Sequence, residues 1–259
     1  MSEQTSPLDA RDGADSPHGV GADDTGAAVR LARQDWPAAA TALDDRGWAV
    51  LPGVLTAPEC RETAALYERE ELFRSRVVMA RHGFGRGEYQ YFGYPLPSSV
   101  AALRVAAYAR LAPLADRWHE RLGVPERFPD TLEAFLAECR AAGQSRPTPL
   151  LLRYSTGDYN CLHQDLYGAR TFPFQLVVLL AAPGEDFTRG EFVLTEQRPR
   201  RQSRVDVVPL GRGDAVVFAV HRRPVPGARG WSRATLRHGV SAVRAGRRHT
   251  LGIVFHDAR

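Results

Sequence analysis

Lysine is missing altogether from this 259-residue chain, and all 34 of its basic residues are arginine. We read that as the compositional habit of a GC-rich genome, not as a functional signal. Cysteine is scarce: Cys60, Cys139 and Cys161 are odd in number and far apart, which argues against a disulfide framework and for a reducing cytoplasm. No long hydrophobic run occurs either. The longest, Leu176 to Ala182, is far short of the ~20 residues that span a bilayer, so nothing here is expected to enter a membrane. The first ~30 residues have few large apolar side chains to offset chain entropy. Rich in Ser, Asp, Gly and Ala, with acids at Asp9, Asp12, Asp15, Asp23 and Asp24, they are expected to form a disordered tail and not a secretory signal.

What is present suits one large domain, or one domain with a helical annex, and the apolar fraction of 44% is ordinary for a globular core. The net charge of +4 is unevenly spread. Residues 151–259 carry 17 arginines against 9 acids, whereas residues 1–150 carry 17 against 21. We divide the chain into a tail over 1–30, helices and strands packing on a barrel over 31–148, and the barrel itself over 149–259.

An alanine-rich helix is expected from Trp36 to Asp45 and a strand over Gly47–Pro52. Thr56 then caps a helix that runs to about Glu70, with Glu59 closing a capping box. Residues 72–97 interleave Arg74, Arg76, Arg81 and Arg86 with Phe84, Tyr89, Tyr91, Phe92 and Tyr94. Two readings stand side by side: a surface that stacks on a nucleic-acid strand, or rings covering a barrel edge with solvated arginines. His82 is read as structural or substrate-facing. Helices are expected from Ser98 to about Leu111, from Pro113 to Leu122, and from Asp130, as cap, to Ala142, with Gly143 as the stop.

The stretch that carries chemistry is Leu162-His163-Gln164-Asp165-Leu166. If it is extended, side chains repeat every two residues, so His163 and Asp165 share a face and Gln164 points away. Cys161 falls on that face too, and is read as a small core filler in preference to a soft-metal ligand. A third ligand has to come from a distant segment, and His238 lies in a short segment, Thr235 to Ser241, that fits a strand on the opposite wall. Two imidazoles and one carboxylate hold non-haem Fe(II) on one face and leave the other open. Ten residues on, Arg248 and Thr250 share a face of the next strand and offer a carboxylate clamp. His221, His249 and His256 lack this parity and spacing, and Asp214 reads as a turn residue after Gly213. Phe172–Ala181 is expected to be a long buried strand whose one polar member, Gln175, needs a partner inside. Gly190 is expected to open the strand after it.

Read in order, Arg153-Tyr154-Ser155-Thr156-Gly157-Asp158-Tyr159-Asn160, His163-Gln164-Asp165, Gly190-Glu191-Phe192-Val193-Leu194, Gly213-Asp214-Ala215-Val216-Val217-Phe218, His238 and Arg248 resemble the Fe(II)/2-oxoglutarate dioxygenase superfamily. Within it, Leu152 to Asp257 resembles a bacterial family of nucleic-acid oxygenases acting on damaged DNA in the manner of AlkB-like enzymes. Ala42 to Arg146 resembles it through weaker motifs. The resemblance implies a mainly β protein with a double-stranded β-helix (jelly-roll) core. It implies Fe(II) on His163, Asp165 and His238, and 2-oxoglutarate held by Arg248, Thr250 and Tyr154. It also implies oxidative decarboxylation of that cosubstrate to succinate and carbon dioxide, with dioxygen consumed. On an N-methylated base, hydroxylation would end in loss of formaldehyde. The clusters Arg198, Arg200, Arg201, Arg204 and Arg222-Arg223 are candidates for contact with single-stranded or damaged nucleic acid. Two other functions remain open on sequence: hydroxylation of a protein side chain or small metabolite at the same iron, and a non-catalytic β-barrel binder of metal or ligand.

Overall fold

The computed structural model describes residues 26–228 and 230–259. The expected tail therefore lies outside the described residues as far as residue 25, and from Gly26 the chain is helical. Helices α1 (Gly26–Ala32) and α2 (Trp36–Arg46) lead into β1 (Trp48–Leu51), and α3 (Ala57–Ala65) follows. Next come β2 (Phe73–Val78), β3 (Gly85–Arg86) and β4 (Glu88–Phe92), then α4 (Ser98–Arg121) and α5 (Leu132–Ala141). The remaining strands are β5 (Leu150–Ser155), β6 (Tyr159–His163), β7 (Phe174–Leu179), β8 (Phe187–Arg189) and β9 (Phe192–Gln197). They are followed by β10 (Arg204–Val208), β11 (Ala215–Ala219), β12 (Arg222–Gly227), β13 (Gly230–Val240) and β14 (Val243–Val254).

The strands form two antiparallel sheets. The larger has the order β1-β11-β7-β14-β5-β4-β2, with β8 also on β14; the smaller has the order β10-β9-β13-β6-β3, with β12 also on β13. This is the mainly β jelly-roll core with a helical annex that the sequence led us to expect. Strands β1, β4 and β2, all ahead of Pro149, hydrogen-bond into the larger sheet and widen it at both edges.

Period-two alternation sorts the larger sheet's side chains between two layers. Leu176 and Val178 of β7, with Leu251 and Ile253 of β14, pack under the helices in one core that includes Leu103, Leu111 and Trp118 of α4. Val177 and Leu179 point the other way, into the barrel, with Tyr154, Phe192 and Phe218. Arg248 and Thr250 share that inward parity on β14, and both are buried.

The helical annex departs from expectation in three places. The two helices expected over 98–122 are one, because α4 runs through Pro113. A proline inside a helix costs about 3 kcal/mol. Here it sits on the exposed face, while Leu111, Ala112, Leu114 and Ala115 around it are buried at roughly 1.5–3 kcal/mol for each large apolar side chain. Packing outweighs the missing hydrogen bond. The capping box of Thr56 and Glu59 forms as expected, but α3 stops at Ala65 and passes into a short 3-10 turn. The cap of α5 is Thr131, whose hydroxyl accepts from the Ala134 amide, and not Asp130.

Candidate metal centre

Strand β6 delivers the first ligand, and it does so through a bulge. His163 pairs with His238 of β13, and Asn160 pairs with Val240, so three steps on β6 oppose two on β13. The extra residue inverts the side-chain alternation. Asn160 turns inward, where its amide donates to the Tyr154 hydroxyl at 3.4 Å, and His163 turns inward again three positions later. Cys161, in the bulge, is exposed, so it is neither the core filler expected nor a member of the ligand cluster. Gly239 opposite makes the close approach possible. A Cβ there would lie 2.7 Å from the Asn160 carbonyl oxygen.

His163, Asp165 and His238 each present a ligand atom within 4.8 Å of the others. His238 Nε2 is 3.4 Å from Asp165 Oδ2, and His163 Nε2 is 3.6 Å from Oδ1. The His163 Nδ1–H donates to the Cys161 carbonyl at 2.8 Å, which fixes the tautomer and leaves Nε2 free as a lone-pair donor. Burial lowers the His238 pKa, aided by the nearby His163, so its imidazole is neutral at pH 7, the state a metal ligand needs. For Asp165 burial pushes upward, but His238, His163 and the Tyr167 hydroxyl outweigh it and hold the group below the usual carboxylate range.

Asp165 lies beyond the end of β6, so strand parity alone does not aim it. Two contacts do. Gln164 donates to the Leu236 carbonyl on β13 at 2.6 Å. Tyr167 donates to Asp165 Oδ1 and accepts from the Tyr91 hydroxyl at 3.0 Å. Sequence reading missed Tyr167; its position two residues after the aspartate was the available signal, but a tyrosine in an irregular loop has no fixed direction.

On the inner face of β14, Arg248 is buried with Nε and Nη1 lacking any partner. Its guanidinium is 5.6 Å from the Tyr154 ring centroid and 5.9 Å from that of Phe187. Burial lowers its pKa to about 10. An unpaired buried cation is costly, and an incoming carboxylate is the group that would complete it. Gly190, which lies just ahead of β9, is needed beside it: φ is +68°, and a Cβ would stand 2.8 Å from Val243 Cγ2 and 3.2 Å from Arg248 Cδ. Thr250 and Tyr154 are both buried on the same inward face.

Gln175 is buried as expected, but its Oε1 has no partner, between Phe218 and Val254 on the neighbouring strands. Asp214 is a turn residue: it accepts from the Gly53 and Gly211 amides, both at 2.8 Å. His221, His249 and His256 stand outside the ligand cluster. The arginine clusters divide. Arg223 is 1% exposed and pairs with Glu196 at 2.6 Å, and Arg198 takes the other Glu196 oxygen at 2.7 Å, so neither is the solvent-facing cation expected. Arg200 and Arg201 remain exposed and line a cleft with Pro226 and Ser232. In the earlier cluster, Arg76 is tied to Glu88 and Phe92 is in the core, while the exposed rings of His82 and Phe84 stack at 5.3 Å. Barrel cover accounts for the first pair, and an open surface for the second.

The two histidines come from hydrogen-bonded neighbours of one sheet, β6 and β13, and not from opposite walls as expected; with the buried aspartate in a jelly roll they make the arrangement of a 2-oxoglutarate and Fe(II)-dependent oxygenase. Solved structures agree on the fold. A Pseudomonas putida prolyl-4-hydroxylase aligns at TM-score 0.51 and 17% identity over 88% of this chain and 99% of its own. A Burkholderia pseudomallei oxidoreductase of the 2OG-Fe(II) oxygenase family gives 0.51 and 19% over 87% and 94%. Residues 87–258 match the model of a family described as "Oxygenase, catalysing oxidative methylation of damaged DNA", and the chain belongs to that family. An uncharacterized protein of Mycobacterium tuberculosis, found in two strains, is 48% identical over 167 residues, covering 64% of this chain and 72% of the relative.

Proposed function

We propose that this oxygenase dealkylates N-methylated nucleic-acid bases, with Fe(II) on His163, Asp165 and His238 and 2-oxoglutarate in the barrel. The observation that carries the reading is the pairing of that ligand cluster with the unpartnered guanidinium of Arg248 in one barrel interior. The donor set fits the metal: two imidazole nitrogens and one carboxylate in a cluster that leaves coordination positions open. Arg248 would hold the far carboxylate of the cosubstrate, with the Thr250 and Tyr154 hydroxyls beside it. Bound together, iron and cosubstrate supply oxidative decarboxylation coupled to hydroxylation of a substrate C–H bond. The chain's own part is to orient and to exclude water.

Hydroxylation at an N-methyl carbon gives a hydroxymethyl group that leaves as formaldehyde, so the methyl is removed. A base has to leave its stack to reach a buried centre. The family's description supports nucleic acid as the substrate, and the exposed Arg200 and Arg201 offer phosphate contacts.

The test is succinate and formaldehyde formation from methylated single-stranded DNA under Fe(II), 2-oxoglutarate and oxygen. Asp165→Ala abolishes both products, and Arg200→Gln with Arg201→Gln lowers formaldehyde release. Succinate formed at the full rate by the metal-repleted Asp165→Ala protein would remove the ligand assignment. Turnover with a protein or metabolite panel and none with any methylated oligonucleotide would replace the substrate class.

A further inference from the structure

The three ligand side chains are unequally covered: His163 is 34% exposed, Asp165 11% and His238 7%. The centre therefore opens on the β6 side. What lies beside β6 there is β3 and the 3-10 turn ahead of it, Met79–His82. Glycine lets this tip lie close, because at Gly85 φ is +124° and a Cβ would collide with the Tyr159 carbonyl oxygen. The Cys161 amide then donates to the Phe84 carbonyl at 2.9 Å. Buried Met79 anchors the turn, and its carbonyl accepts from the Phe84 amide at 3.2 Å. Phe84 thus stands one strand over and two residues back from His163, on the order of 8 Å away at ~4.8 Å between strands and ~3.3 Å per residue.

Unlike the rings inside the barrel, Phe84 is 48% exposed. Among the described residues it stacks on the exposed His82 ring alone, at 5.3 Å and 24°. Leu162, 46% exposed, and Cys161 continue the same surface. A single exposed apolar side chain is ordinary, but a contiguous set at the mouth of an open ligand cluster marks a contact surface. Two exposed cations flank it: Arg81 in the turn, and Arg237 across β6, which faces outward because His238 faces in. Among the described residues neither meets a carboxylate, and Glu88, the acid nearest to Phe84 in sequence, is held by Arg76 and Arg153.

We propose that the tip from His82 to Phe84 is the platform for the nucleotide next to the one presented to the metal. Its base stacks on the open face of Phe84, and the adjoining phosphates meet Arg81 and Arg237. An accessible ring face between cations, with no free acid, is the chemistry that selects a single nucleic-acid strand. The inference rests on the nucleic-acid reading above and deepens it, since it sets the path of the strand over β3 and β6.

Binding of a labelled oligothymidylate carrying one N-methylated base to the full chain, followed by anisotropy, tests this without turnover. Phe84→Ala weakens binding by about 5- to 100-fold, the loss of one base–aromatic stack. Phe84→Tyr keeps the ring and the affinity. Removing the base instead of the ring reads the position: an abasic residue on one side of the methylated base weakens binding to the native chain to the same degree, and leaves binding to Phe84→Ala unchanged. Arg81→Gln with Arg237→Gln lowers the slope of log affinity against log salt by about 1.4, at ~0.7 for each phosphate on a single strand. Equal affinity of the native and Phe84→Ala chains overturns the proposal, as does an unchanged salt slope, or an abasic loss that adds in full to the Phe84→Ala loss on both sides. A dimer of the native chain that Phe84→Ala dissolves, with oligonucleotide binding unaltered, assigns the surface to a second copy and overturns it too. Phe84-dependent binding with no methylated oligonucleotide oxidised removes the dealkylase and leaves the platform standing. Oxidation with binding independent of Phe84 does the reverse.

Discussion

Replacing Arg248 with methionine separates binding from folding. The guanidinium is 1% exposed, and two of its nitrogens have no partner. Burial lowers its pKa to about 10, a shift that corresponds to roughly 3 kcal/mol of cost in keeping the charge there. Methionine retains much of the packing against Tyr154 and Phe187 and removes the charge, so the protein without ligands gains stability or stays level. The cosubstrate loses its partner. Truncating one side of a buried, hydrogen-bonded charge pair costs about 2–5 kcal/mol, so 2-oxoglutarate binds at least ~30-fold more weakly. Calorimetric titration of 2-oxoglutarate into the Mn(II)-loaded protein under nitrogen reads the second effect, and urea unfolding of the metal-free protein reads the first. A variant that unfolds at clearly lower urea yet binds 2-oxoglutarate as before would mean that Arg248 is a structural cation, and the cosubstrate assignment would fall with it.

Two further outcomes follow from the neighbours of the ligands. Tyr167→Phe deletes the hydroxyl that holds Asp165 Oδ1, and support of this kind is worth about 10–100-fold in metal affinity; a Mn(II) titration that returns the unaltered affinity would show that the loop aims the carboxylate unaided. His256 is buried, accepts from the Phe172 amide at 3.2 Å, and burial lowers its pKa to about 4. Its neutral form is the native one, so its contribution is complete above pH ~6.5 and is lost as pH falls through about 4, to a limit of roughly 3 kcal/mol. His249, also lowered to about 4 by burial, adds in the same window. Unfolding midpoints between pH 7 and 4 therefore fall, and they fall less in His256→Gln; equal losses in the two proteins would place the sensitivity elsewhere.

Much of the centre is local and was legible as such. The capping box of Thr56 and Glu59, the inward parity of Arg248 and Thr250 and the turn at Asp214 each depend on residues within a few positions of one another. Chain order and spacing alone were enough to single out His163, Asp165 and His238, because an H-x-D pair with a distal histidine and then an arginine rarely arises by chance in strands of this length. Packing between distant segments reversed the local reading elsewhere. Alternation placed Cys161 beside the metal, and a bulge set by Gly239 on another strand turned it out. Pro113 signalled a break, and a buried face on four neighbours carried the helix through. Arg223 looked like a free cation until Glu196, on β9 and 27 residues away in sequence, paired with it. Periodicity determined which side chains share a face, and the ordered motifs, through their resemblance to the oxygenase superfamily, pointed to a jelly roll with a metal-ligand set. Only the tertiary structure decided which cations remain free for a ligand, because a charge is spent or spared by the partner it meets, and that partner can come from anywhere in the chain.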